Sequence, residues 1–247
     1  MPKLTNEDTA IEQHKVGTFA YSTIKIEDLE ATEFTIVTIV NDRSGSVGSY
    51  KAEMETCLEQ IRLACKKSPR ADFLLVQHMQ FGSTVEQTHG LVPLDSLNDD
   101  TYKDCLHING MTALYDATCD AINVTADFAK KLMSQHYTCN AIVVIMTDGC
   151  ENASNRILED VKKSISQAYK SESLESLLTI LVGVGYEEDY VKQELDDFAK
   201  EVGIDQFIPM GDADAKTLAK LAAFISNSVS SQSQALGSNG PSQPLIF

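Results

Sequence analysis

The chain has 247 residues, and its 20 basic against 36 acidic side chains give a formal net charge of -16. That excess excludes a phosphate-backbone reader, whose affinity rests on clustered Lys and Arg, and it repels anionic lipid surfaces, so neither nucleic acid nor membrane is expected as a partner. Hydrophobic residues at 43% and charged residues at 23% match a folded soluble domain rather than a disordered chain.

The first residues, Met1-Pro2-Lys3-Leu4-Thr5-Asn6-Glu7-Asp8, are polar where a secretory signal needs an apolar core. Residues 1–33 therefore read as an N-terminal extension, with an edge strand around 16–26. The main domain is expected over 34–230. In it, residues 34–40 (Phe-Thr-Ile-Val-Thr-Ile-Val), 141–146 (Ala-Ile-Val-Val-Ile-Met) and 177–184 (Leu-Leu-Thr-Ile-Leu-Val-Gly-Val) are short, β-branched and apolar throughout. Such runs fit central parallel strands covered on both faces. Residues 72–81 predict another strand, turned by Gly82-Ser83 into an antiparallel arm at 84–88, and 207–210 a last edge strand that tolerates Pro209. Helices are expected over 49–67, 113–132, 154–170, 187–202 and 214–229, the last with Leu218, Leu221, Ala222, Ile225 and Val229 in one apolar stripe. Residues 231–247 hold no charge and read as a flexible tail.

Alternation of strand and helix predicts an α/β fold, Rossmann-like, with a mostly parallel central sheet, one antiparallel edge strand and helices on both faces. In such sheets ligands sit at the carboxyl ends of the strands. Two loops fall there: Asn41-Asp42-Arg43-Ser44-Gly45-Ser46 after the first central strand and Thr147-Asp148-Gly149 after the 141–146 strand. Asp42, Ser44 and Ser46 alternate, so a looping backbone can aim three oxygens at one point. Thr112 stands between the two loops in sequence, just before a helix. Two carboxylates and three hydroxyls, with no imidazole or thiol, form a hard-cation donor set suited to magnesium or manganese. Singly, each residue has a local explanation, since Asp, Ser and Thr populate turns and helix caps; the combination in order at strand ends is what points to metal.

These residues resemble the von Willebrand factor type A (VWA) domain family with its metal-ion-dependent adhesion site. That pattern runs aspartate, any residue, serine, any residue, serine, then a threonine in a later loop and an aspartate after a central strand. Asp42, Ser44, Ser46, Thr112 and Asp148 fall in register with it, and the phrases around Thr112 and Asp148 look like those of stand-alone bacterial and phage members. The resemblance implies that Ser44, Ser46 and Thr112 bind the cation directly, that Asp42 and Asp148 act through water, and that a partner protein's Asp or Glu carboxylate completes the site. Met111, where a second glycine is common, and Cys150, where many bacterial relatives carry an acid, depart from the pattern and leave the five positions intact. A non-enzymatic, metal-dependent protein-interaction module is therefore expected. The alternative is a magnesium-dependent phosphoryl-transfer enzyme with Asp42 as nucleophile; Ser44 stands where such an enzyme would place a second aspartate.

Other features carry less. Gly183-Val184-Gly185 leads into Glu187-Glu188-Asp189, the wrong charge for a phosphate loop. The five histidines form no triad spacing. Asp116, one turn past Thr112, reads as a surface carboxylate or a support for the site. The six cysteines, without framework spacing, are expected as free thiols in a cytoplasmic protein. Oligomeric state is not legible.

Overall fold

A computed structural model describes residues 11–29, 31–185, 189–210 and 214–238. Eight strands form one sheet: β1 (Ile11–Val16), β2 (Phe19–Ile24), β3 (Glu33–Asp42), β4 (Leu74–Phe81), β5 (Val85–Pro93), β6 (Thr138–Thr147), β7 (Ser176–Val184) and β8 (Gln206–Met210), in the order β1-β2-β5-β4-β3-β6-β7-β8. Strands β4, β3, β6, β7 and β8 run parallel, and β5 lies antiparallel to β4. Five α-helices cover it: α1 (Lys51–Lys66), α2 (Leu114–Ser134), α3 (Leu158–Tyr169), α4 (Asp189–Val202) and α5 (Ala215–Ser238).

The apolar strands alternate between two cores. On one face Val37, Ile39, Ile142, Val144, Ile180 and Val182 pack with Leu58 and Ile61 of α1 and the Leu218–Val229 stripe of α5. On the other, Val40, Val143, Ile145 and Leu181 meet α2, α3 and α4. Burial on both faces explains why these strands lack polar alternation. The expected α/β architecture therefore stands.

Two boundaries differ from expectation. The edge strand expected at 16–26 is the second arm of a hairpin, β1 and β2, turned at Gly17-Thr18; it extends the sheet beyond β5, with β2 parallel to β5 and antiparallel to β1. The line drawn at residue 231 falls inside α5, where Gln232 and Ser233 are buried. Asn140 Nδ2 donates to the Gln232 carbonyl at 2.7 Å, and Arg70 Nε to Ser233 Oγ at 3.1 Å, so polar partners hold this uncharged segment in place. Residues 1–10 and 239–247, the rest of the expected extension and tail, lie outside the described residues.

From β3 the chain goes to β4 on one side, and β6 flanks β3 on the other. This reversal opens a crevice beyond the carboxyl ends of β3 and β6, the position where open α/β sheets take ligands.

Candidate functional site

Asp42 is the last residue of β3 and is fully buried. Its Oδ1 accepts the Ser44 N–H at 2.7 Å and its Oδ2 the Thr147 hydroxyl at 2.6 Å. Ser44 Oγ and Ser46 Oγ lie 3.1 Å apart, and Ser46 Oγ donates to Asp148 Oδ1 at 2.9 Å. Four of the five expected ligands thus form one connected set across the β3 and β6 loops.

Thr112 arrives on a third loop. Its N–H donates to Asn152 Oδ1 at 2.8 Å and its carbonyl accepts the Asn152 N–H at 3.0 Å, which locks it to the segment after β6. A Cβ placed on Gly149 would stand 3.9 Å from Thr112 Oγ1, so the hydroxyl faces the Asp148-Gly149 turn. Thr112 is buried as a residue, and its hydroxyl, which bonds no protein atom among the described residues, is not one of the fully enclosed polar atoms and so opens to the crevice. Gly45 N–H donates to the Gly110 carbonyl at 3.1 Å, tying the first loop to the Thr112 loop. Gly110 has φ +90°, which a side chain rarely adopts, and so lets that loop bend toward Gly45.

Burial pushes the Asp42 carboxyl up to about 6; the hydrogen bonds from Thr147 and Ser44 oppose that rise, and the Asp148 charge adds to it. Asp148 is also raised, mainly by burial, with the Ser46 hydroxyl pulling it back. Two carboxylates, Asp42 stripped of water and Asp148 partly so, linked through Ser44 and Ser46, are a pair that a cation would relieve. The residues fit a hard divalent ion in donor chemistry: every converging atom is oxygen, and Thr112 Oγ1 awaits a partner. Among the described residues there is no cluster of three or more His, Cys, Asp or Glu side chains of the kind that holds zinc.

Several supporting residues escaped the sequence reading. Thr147, expected only as the first residue of the loop after the 141–146 strand, ends β6 instead, and its hydroxyl holds Asp42; its place beside Asp148 is the one hint. Arg43 is buried, with Nη1 donating to the His107 carbonyl at 3.0 Å and Nη2 to Glu86 Oε1 at 2.8 Å. Its own N–H reaches the Phe81 carbonyl and its carbonyl accepts the Asn109 N–H. Glu151 Oε2 accepts the Tyr115 N–H at the start of α2 and Oε1 the N–H groups of Ala153 and Ser154. Asp116, the one of these that the sequence did offer as a surface carboxylate or a support, is mostly buried and accepts the Asn155 and Arg156 N–H groups, so it tethers the loop after β6. Only a structure could reveal these long-range pairings.

The six cysteines are free, five of them buried and Cys150 partly so. No helix among the described residues is long and apolar enough to cross a membrane.

No family model and no curated protein matches the chain. Solved structures do. A mutant of the PilB minor pilin from Streptococcus sanguinis superposes with a TM-score of 0.59 at 12% identity over 98% of this chain and 79% of that one. The pilus adhesin SpaC from Lactobacillus rhamnosus GG, in an open conformation, gives 0.59 at 12% identity, with 96% of this chain but 35% of its own. The conserved hypothetical protein BatB from Bacteroides thetaiotaomicron gives 0.51 at 12% identity over 79% and 98%. At such identities the likeness shows the fold alone.

Proposed function

We propose that the protein is a metal-dependent protein-interaction module of the VWA type. Ser44, Ser46 and Thr112, with Asp42 and Asp148, would hold magnesium or manganese, and a partner protein would contribute an Asp or Glu carboxylate. The observation that carries this reading is the convergence of five oxygen-bearing side chains from three loops on the crevice between β3 and β6. A cation bound there supplies a Lewis-acidic contact for one carboxylate; the chain's own residues position it and exclude bulk water from Asp42.

The descriptions of two solved neighbours as pilus adhesin and minor pilin keep company with binding rather than catalysis. The phosphoryl-transfer reading loses ground because both Asp42 oxygens are engaged, by Ser44 N–H and Thr147, and the carboxyl is fully buried. Six unpaired thiols favour a reducing, cytoplasmic setting.

An apparent conflict sharpens the test. A chain of net charge -16 repels an acidic partner at long range, so the cation must act as the bridge at contact. Partner binding in a pull-down from the native host is expected to vanish in chelator, return with magnesium or manganese, and be lost in Thr112→Ala while the fold persists. Modest salt is expected to strengthen it by screening repulsion beyond roughly 10 Å at 0.1 M. Binding that survives chelator unchanged sinks the proposal.

A further inference from the structure

Helix α2 opens on a residue that cannot cap it. Its N-cap position is Ala113, whose carbonyl takes the first helical bond, from Ala117 N–H at 3.0 Å, but whose side chain has no acceptor. The N–H groups of the helix's second and third residues, Tyr115 and Asp116, are the ones a capping side chain ordinarily satisfies. Here they are met from the loop after β6, 36 and 38 residues along the chain: Glu151 Oε2 accepts the Tyr115 N–H at 2.9 Å, and Ser154 Oγ accepts the Asp116 N–H at 3.0 Å. The Ser154 hydroxyl in turn donates to Glu151 Oε2 at 2.7 Å, so the two side chains work as one cap.

A better capping residue stands one position earlier. Threonine caps helices and alanine does not, yet the Thr112 hydroxyl bonds no protein atom among the described residues and opens to the crevice. Only one torsion separates the two helix starts. Ala113 has φ -89° and ψ 63°, and turning that ψ into the helical range near -42° would lengthen α2 by a residue, with Thr112 as its N-cap. The hydroxyl of an N-cap threonine accepts the N–H three residues on, which from Thr112 is that of Tyr115, the group Glu151 now holds. The Thr112 carbonyl, which now accepts the Asn152 N–H, would take the N–H of Asp116, which Ser154 now holds. Capping and ligation thus compete for one oxygen.

We propose that Glu151 and Ser154 are positioning residues: by capping α2 from the loop after β6 they hold the helix start at Ala113 and keep Thr112 Oγ1 free for the cation. The part that concerns the cation rests on the metal reading above; the competition for the helix start does not. Glu151 has no oxygen left for an ion of its own, since Oε1 accepts the N–H groups of Ala153 and Ser154, and Oε2 those of Tyr115 and the Ser154 hydroxyl. The loop that carries Asp148 therefore also decides what the Thr112 hydroxyl does. Such outer partners orient a ligand without touching the ion.

The test is a double-mutant cycle on the full chain between Glu151→Ala and Thr112→Val, which removes the hydroxyl and keeps the outline of the side chain. In thermal unfolding of the metal-free protein, Glu151→Ala is expected to lower the melting temperature about twice as far on the Thr112→Val background as on wild type, because only wild type has a hydroxyl to take over the cap. Equal shifts would mean that Glu151 merely supports its own loop, and would overturn the proposal. In calorimetric titration with magnesium, Glu151→Ala and Thr112→Val are each expected to lose about tenfold or more in affinity, and the pair no more than Thr112→Val alone. Glu151→Gln, which drops the charge and keeps an acceptor, is expected to stay near wild type. Affinity unchanged in Glu151→Ala beside a loss in Thr112→Val also overturns the proposal. Wild-type affinity in Thr112→Val sinks the metal reading itself, while unequal thermal shifts would still establish the remote cap. Should Glu151→Ala fail to fold, Ser154→Ala, which removes the Asp116 acceptor alone, takes its place in both arms.

Discussion

The two ends of the parallel strands use the same residue types for opposite purposes. At the amino end, polar side chains reach across to other elements: Asn140 Nδ2 to the Gln232 carbonyl, Ser176 Oγ to Gln232 Oε1 at 2.5 Å, and Arg70 to both Ser233 and Glu33, while Asn140 Oδ1 stays buried without a partner among the described residues. At the carboxyl end, Asp42, Ser44, Ser46 and Asp148 turn toward one another, and Thr112 holds a hydroxyl with no partner. One end joins helix to sheet; the other gathers acceptors in a buried spot at a cost in desolvation. On the proposed reading, stability and binding fall to opposite rims.

The widest expected separation between the rims is in metal binding. Calorimetric titration with magnesium or manganese is expected to show one site in wild type and a loss of a hundredfold or more, about 3 kcal/mol, in Asp42→Ala and in Asp148→Ala. Variants at the opposite rim, such as Asn140→Ala, are expected to bind metal as wild type does. Equal affinity across all of them removes the assigned site.

Next comes stability at the amino rim. A chain ending at residue 230 loses Gln232 and Ser233, and leaves Arg70 and Ser176 without those bonds. Denaturant unfolding is expected to register a loss of roughly 3 kcal/mol, and Asn140→Ala alone about 1 to 2. A truncation without effect would mean that α5 ends in substance where its apolar stripe ends.

Acid sets the buried histidines inside β4 and β5 against the carboxyl rim. His78 and His89 are buried and neutral, His78 well below its ordinary value and His89 lowered to about 4, chiefly by desolvation. The unfolded chain binds these protons below about 6.5 while the native state refuses them, so stability falls with pH from 6.5 toward 4, by about 2 kcal/mol per histidine at pH 5. Asp42 has the opposite sign: its native value near 6 exceeds that of an unfolded aspartate, and protonating it returns about 1.3 kcal/mol of stability over the same drop. Asp42→Asn, measured without metal, is therefore expected to steepen the acid loss. A slope unchanged by that substitution would show that Asp42 is not held near 6.

The smallest effect is at neutral pH. Asp42→Asn is expected to leave the metal-free fold within about 1 kcal/mol of wild type, or more stable, because it removes a buried charge and keeps an acceptor. A larger loss would make Asp42 a structural residue first and a ligand second.

How much of this was readable beforehand follows from burial. The runs in β3, β6 and β7 were legible because strands covered on both faces must be apolar at every position. The five oxygen-bearing residues were legible as a spaced motif, and the fold brings them to one place; what they bind is outside what the chain alone displays. The hairpin was harder, since β1 is only half-buried and its Glu12, His14 and Lys15 blur the alternation. The last turns of α5 misled for a physical reason: Ser and Gln read as linker unless a tertiary partner takes them in, and Asn140 and Arg70 are 92 and 163 residues away from theirs. Thr147 and Arg43 hid in plain sight, one beside Asp148 and one between Asp42 and Ser44.

Arg43 touches none of the converging oxygens, yet four bonds from its main chain and guanidinium rivet the Asp42–Ser46 loop to the β4–β5 turn and to residues 107–109. A loop so pinned has little room to breathe outward. Magnesium demands short, near-octahedral contacts, whereas calcium takes more ligands at longer range. For the cation proposed above, stiffness would then screen ion size, and loosening that rivet with Arg43→Ala is expected to narrow the gap between the two affinities in paired titrations.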